Sequence, residues 1–247
     1  MHQNRLGPDG GADSKWLRPG AAAACACVAA LLIRAACAWL IGPAQPQEIR
    51  YITIAQGLLA GDGFVGLDAR FPDIIQPPLY PLVLAGALVL PVNPLGVARG
   101  LSVVMGALLV FPAVILAGRL FGRRAAARAG WLVAVHPMLA HISSVAITES
   151  TFALLVAASI LLVWRLAEAP VLPRGRDAFW YALAGVCLGF SNLTRPEGIT
   201  YFLAAALVTA VLLGAVRLRV ATAGTALLLI GFLVVVIPYV TWVHAKT

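Results

Sequence analysis

The feature that most constrains this chain is the length of its apolar blocks. Seven stretches, near residues 19–41, 96–118, 126–141, 147–167, 178–193, 199–216 and 220–243, run with few charges. Crossing a bilayer core takes roughly 20 helical residues. Within lipid, only a helix or a closed barrel satisfies its own backbone. The blocks are continuous rather than alternating, which indicates helices. The expected fold is therefore an all-α membrane protein with about seven transmembrane helices. Composition agrees, since only 11% of the 247 residues are charged, against about a quarter in a soluble domain.

A net charge of +8 invites a nucleic-acid reading, but the distribution of the charge argues against one. With the N-terminus inside, the cytoplasmic segments collect Arg5, Lys15, Arg18, Arg119, Arg123, Arg124, Arg128, Arg165, Arg174, Arg176, Arg217 and Arg219. These are 12 of the 18 basic residues. Arg34, Arg50, Arg70, Arg99, Arg195 and Lys246 fall in or near the outer half. This positive-inside bias makes the basic surplus an orientation signal. Residues 1–18 read as a disordered cytoplasmic tail, and residues 19–243 as one seven-helix module. The first helix is expected to stay uncleaved, because its apolar run is long for a signal peptide and no clear cleavage site follows. The expected location is a bacterial-type inner (cell) membrane, crossed several times, with the N-terminus cytoplasmic. Cys25, Cys27, Cys37 and Cys187 lie in apolar runs, where small buried thiols are the plain reading.

Residues 42–95 form the longest non-spanning segment, expected as the first outer loop. Within "EIRYITIAQGLLAG", Ile49, Ile52, Ala55, Leu58 and Leu59 share a stripe at helical spacing. That predicts an amphipathic helix on the outer interface, closed by the turn residues of "GDGF". "QPPLYPLVLAGALVLPVNP" then places two prolines at a helix start. Its apolar stretch, 79–92, is too short to span comfortably. It is expected to dip into the outer leaflet and return, with its N-terminus open to an anion.

"QEIRYITIAQGLLAGDGF" followed by "QPPLYPLVLAG" resembles the first outer loop of the GT-C membrane glycosyltransferases. These include protein O-mannosyltransferases and lipid A aminoarabinose transferases. The resemblance continues in order through "ARGLSVVMGALLVFPAVILAGRLFGRRAA", "HPMLAHISSVAITES", "GFSNLTRPEG" and "VVIPYVTW". It implies an inverting transferase that moves a sugar from a polyprenyl-phosphate carrier to a lipid, glycan or protein acceptor, with the active site on the outer face. Relatives usually continue past the seventh helix, whereas this chain stops at "VHAKT". A short natural form, a truncated gene, or one half of a split enzyme with a partner chain are all open at this point.

The resemblance also implies site residues. Glu48 matches a carboxylate that takes the acceptor proton, as a general base does. The Asp that relatives often place just before it is Gln47 here, an amide that cannot take up a proton. Glu149, in "ITES", matches an acidic position near donor phosphate and acceptor. Arg99 matches an arginine suited to bidentate phosphate binding. Gln76 stands where some relatives have a phosphate-contacting Lys, so the donor grip shifts toward helix N–H groups and arginines. Arg195 and Glu197 flank Pro196 and either pair with each other or face the cavity. Tyr51 and Tyr80 are cavity candidates, although interfacial Tyr needs no special role. Arg34, within the first helix, either snorkels outward or meets an acid. His136 and His141 have no known zinc spacing, and without a D-x-D pair no divalent metal or other cofactor is implied.

Two other readings stand beside the transferase: a non-catalytic or split subunit that binds the lipid carrier, and a transporter. Transporters place ionisable residues and broken helices near the midplane, often within repeats. Here the polar residues cluster at one face and no repeat is visible. The charge asymmetry makes a direct prediction. A cysteine at position 123 should react with an impermeant thiol reagent only from the cytoplasmic side, and one at position 66 only from outside. The reverse pattern would overturn the assigned orientation.

Overall fold

The computed structural model describes residues 20–66, 76–90, 92–168, 175–214 and 218–246. The expected tail at 1–18 and part of the outer loop, 67–75, lie outside these. The described residues form eleven helices: α1 (Ala21–Leu40), α2 (Pro46–Ala60), α3 (Leu79–Ala87), α4 (Pro94–Leu108), α5 (Val110–Phe121), α6 (Arg123–Val135), α7 (Pro137–Ser144), α8 (Glu149–Glu168), α9 (Arg176–Thr194), α10 (Gly198–Gly214) and α11 (Leu218–Lys246). Among the described residues, three segments are long and apolar enough to cross a bilayer: Ala21–Leu40, Pro94–Phe121 and Leu218–Ala245. The other expected spans coincide with helices that are shorter, interrupted or less apolar.

Both expected pieces of the outer loop are helical. Ile49 and Leu59 of the apolar stripe on α2 face outward, while Ala55 is buried. The face turned into the protein carries Glu48, Tyr51 and Ile54 as well. Gly61 closes α2 with φ of +88°, a left-handed cap that a side chain would strain.

The packing has two bundles and a cap. An alanine-rich layer, with Ala23, Ala26, Ala30, Ala107 and Ala134, lets α1, α4 and α6 approach closely. A second core, around Tyr181, Leu188, Phe202, Leu228 and Phe232, joins α9, α10 and α11. Tyr51, Tyr80, Leu84, Ala98 and Ala146 form the cap, binding α2 and α3 to α4 and the α7–α8 link. Small residues drive such packing where lipid removes the hydrophobic gain between helices. On α9, a Cβ at Gly185 would meet the Leu228 carbonyl oxygen of α11. Reciprocally, a Cβ at Gly231 would meet the Ala182 carbonyl oxygen.

The break between α6 and α7 has a clear cause. Pro137 has no N–H, so the Val133 carbonyl loses its helical partner. His136 becomes extended and serves as the N-cap of α7, its ring Nδ1 accepting from the Leu139 N–H at 3.3 Å. The freed carbonyls are taken up by Arg34, which is fully buried. Its Nη2 donates to Val133 O at 2.9 Å and its Nη1 to Ala134 O at 3.0 Å. Arg34 thus neither snorkels nor meets an acid; it donates to backbone carbonyls of α6 and, at 3.3 Å, to Ala30 O within α1. Ser144 Oγ donates in turn to Arg34 O at 3.0 Å, tying α7 to α1. A bulky residue at Gly185 should separate α9 from α11. Gly185→Val is expected to lose about 1–3 kcal/mol of stability, read as a lower unfolding temperature in detergent.

Candidate functional site

One end of the helical bundle is organised by one carboxylate. Glu48 is the third residue of α2, where an acid satisfies the free N–H groups of a helix start. Its Oε2 accepts from the Gln45 N–H at 2.9 Å and from Arg99 Nη2 at 2.9 Å. Its Oε1 accepts from Arg99 Nε at 2.9 Å and from the Ala146 N–H at 2.8 Å. Both oxygens are therefore doubly occupied, and the residue is 0% exposed. Burial pushes the carboxyl up, but the Arg99, Ala146 and Gln45 hydrogen bonds outweigh it, leaving Glu48 below the usual range.

Arg99 completes the knot. Its Nη1 donates to Ala38 O at 3.3 Å and Ile41 O at 3.1 Å, and its Nη2 to Gly42 O at 3.2 Å. A cation at a helix C-terminus satisfies carbonyls that have no helical partner. One ion pair thereby joins the end of α1, the start of α2, the N-terminal part of α4 and the α7–α8 link.

Beside this knot lies an open cavity of about 500 Å³. Its polar lining includes Gln47, Arg50, Tyr51, Gln76, Thr148, Glu149, Thr194, Arg195 and Glu197. Tyr51 donates to Gln76 Oε1 at 3.0 Å and packs edge-on against Tyr80, ring centroids 5.1 Å apart. Arg195 Nη1 donates to Glu149 Oε1 at 2.6 Å. On its other edge, Nη2 reaches Glu197 Oε1 at 3.3 Å and Nε reaches Oε2 at 3.4 Å. Arg195 holds the Glu197 carboxyl below the usual carboxylate range.

A second, apolar groove of about 410 Å³ adjoins the first. Leu58, Phe64, Pro78, Leu82, Pro238, Tyr239 and Trp242 are among its lining. Pro77 and Thr194 line the polar cavity, while their chain neighbours Pro78 and Leu193 line the groove. The Trp242 ring sits 6.1 Å from both Phe64 and Tyr239.

The sequence-derived set thus divides. Glu149, Arg195, Glu197, Gln76 and Tyr51 meet in the cavity. Glu48 and Arg99 do not: they lie behind its wall, locked to each other and to backbone groups. Tyr80 is likewise in the core, its hydroxyl 3.1 Å from Ser102 Oγ. Gln47 lines the cavity while Glu48 turns inward, because successive helical residues point about 100° apart. Arg50, Thr148 and Thr194 are cavity residues missing from the sequence-derived set. Helical spacing signals Arg50, one turn beyond Gln47 on the same face. Among the described residues, no three His, Cys, Asp or Glu side chains gather to hold a metal ion.

Replacing Glu48 with Gln puts an amide N–H₂ among four donors and leaves a buried guanidinium without its charge partner. The expected loss is about 3–5 kcal/mol, measured by thermal unfolding in detergent. Because the folded carboxyl is depressed, its contribution is complete above the unfolded value near ~4.3. It fades as pH falls through the lower folded value. The gap between wild type and Glu48→Gln should therefore hold at neutral pH and close in strong acid.

No curated protein and no solved structure matches the chain. The sequence profile described as dolichyl-phosphate-mannose-protein mannosyltransferase matches residues 75–242. That stretch is more than half of the 247 residues and contains α3 to α10, most of α11, and the Glu149–Arg195–Glu197 side of the cavity. Together with the apolar helices, the match makes this a membrane protein of the dolichyl-phosphate-mannose-protein mannosyltransferase family, a glycosyltransferase of GT-C type.

Proposed function

We propose that the chain transfers a sugar, with inversion, from a polyprenyl-phosphate carrier to an acceptor on the outer face of a bacterial-type inner membrane, through a module of seven spans. The observation that carries this reading is the joined pair of cavities. A polar chamber lined by Arg195 lies next to an apolar groove whose lining includes Phe64, Tyr239 and Trp242, the two meeting at the chain neighbours Pro77–Pro78 and Leu193–Thr194. A lipid phosphate needs both: cationic donors for the head and an apolar channel for the tail.

Arg195 grips the phosphate, since a guanidinium fork matches its oxygens bidentately. Arg50 adds positive charge to the same chamber. The acceptor hydroxyl or amine attacks the anomeric carbon from the opposite face. The new bond forms as the bond from anomeric carbon to phosphate oxygen breaks. The electron pair leaves with the phosphate, where Arg195 stabilises the developing charge. The acceptor proton passes to a carboxylate. Glu149 fits that role, its side chain being 34% exposed in the chamber, with Oε1 bonded to Arg195 and Oε2 accepting a long 3.5 Å hydrogen bond from Thr148 Oγ1. Glu48 instead serves as the anchor that fixes the chamber wall, because its lone pairs are occupied.

One observation favours a second reading, a lipid-carrier-binding subunit without catalysis. Gln47 faces the chamber at the position where, by the resemblance, relatives often keep an Asp. An assay of free polyprenyl phosphate released from labelled sugar-carrier separates the two. On the catalytic reading, wild type turns over and Glu149→Gln falls about 10²–10⁴-fold, the range for a general base. An unchanged rate in Glu149→Gln removes Glu149 from the mechanism. An inert wild type combined with an active Gln47→Asp variant selects the second reading.

A further inference from the structure

Arg195 is already occupied on both edges by the protein's own carboxylates, and the two contacts are unequal. The Glu149 contact is short, at 2.6 Å. The Glu197 contacts are long, at 3.3 and 3.4 Å, and the Glu197 side chain is 58% exposed against 34% for Glu149. Glu197 also holds the Nε–Nη2 edge of the guanidinium, the pair of parallel donors that best matches two oxygens of a carboxylate or phosphate. Glu149 takes only one oxygen's worth of the remaining nitrogen.

We infer that Glu197 is a built-in competitor for the carrier phosphate, occupying the Nε–Nη2 edge of Arg195 when the chamber is empty and yielding it when the phosphate arrives. This rests on the reading of Arg195 as the phosphate grip. The local chain suits the exchange. Glu197 is two residues from Arg195 across Pro196, so its release needs a side-chain rotation and no helix movement. It immediately precedes Gly198, the first residue of α10. The partial positive charge of that helix start is where a displaced carboxylate remains favourable.

The role of such a competitor is release. A spent carrier, freed of its sugar, still presents a phosphate to Arg195 and still has its tail in the groove. A carboxylate tethered beside the fork reoccupies it as the phosphate loosens, so the product is not trapped. Glu197 therefore sets the affinity and residence time of the carrier and takes no part in bond making.

Equilibrium binding of two probes tests this, using the purified full chain in detergent: inorganic phosphate and a polyprenyl phosphate. Glu197→Gln should bind both about two- to fivefold tighter, the scale of one exposed ion pair removed. It should also release polyprenyl phosphate correspondingly more slowly. The lipid probe should exceed inorganic phosphate in affinity in every variant, because only it fills the groove. The deciding arm is the same substitution in an Arg195→Gln background, where the gain should vanish. An equal gain in both backgrounds overturns the competitor role, since Glu197 would then act only by general repulsion of anions. Unchanged or weaker binding in Glu197→Gln overturns it as well. Wild-type binding in Arg195→Gln alone would instead overturn the assignment of Arg195 as the grip, and the competitor role with it.

Discussion

The buried pair between Glu48 and Arg99 is the interaction on which the cavity-bearing end of this protein depends. An isolated buried charge is prohibitively unfavourable, and a pair is tolerated only when every remaining donor and acceptor is satisfied. Here satisfaction comes from three separate pieces of chain. The carboxylate takes the free N–H of Gln45 and that of Ala146; the guanidinium takes the carbonyls that end α1. The constraint is mutual, because none of these segments can move without orphaning a charge. Ala146 lies three residues before Glu149, so the pair that holds the wall also fixes the start of the helix bearing the chamber's acid. On the proposed mechanism, positioning and chemistry fall to two glutamates 101 positions apart in the chain.

How much of this was legible in the sequence depends on the range of the interaction. Helix boundaries follow from local signals. Pro94 after Asn93 and Pro137 after His136 each open a helix with a polar N-cap, and Gly61 closes one. The charge asymmetry and the order of motifs led to the family. The facing of α2 was not legible from one carboxylate alone, because Gln47 and Glu48 are adjacent and either could have turned inward. What decides is Arg99, 51 residues away, and Ala146, 98 away. The same holds for Arg34, whose partners are the carbonyls of a helix broken about a hundred residues later. Sequence pattern marks a proline break well, but it does not say which side chain repairs it.

The chamber illustrates how a glycosyltransferase of this type divides its labour. Its charged residues lie on loops and helix starts at one end of the bundle, while the helices behind them pack through glycine and alanine. Close backbone packing at Gly185 and Gly231 holds α11 against α9, and α11 supplies the aromatic end of the apolar groove. A wall built from backbone contacts leaves little freedom for the groove to widen. The side chains of Arg195, Glu149 and Glu197 are instead partly exposed and bonded to one another rather than to the bundle's backbone packing.

The buried arginine of α1 carries a consequence for how the protein is made. Placing a guanidinium near the middle of an inserting helix disfavours membrane insertion by about 2.5–3.5 kcal/mol. Apart from Ala30 O within α1 itself, the carbonyls that compensate Arg34 belong to Val133 and Ala134, roughly a hundred residues downstream, and are not yet made when α1 leaves the ribosome. The first helix therefore enters the bilayer with an unmet charge. It reaches its final position only when the α6–α7 bend is synthesised and docks against it. Assembly of this membrane protein is thus coupled across its length: α1 is fully settled only once the α6–α7 bend has formed.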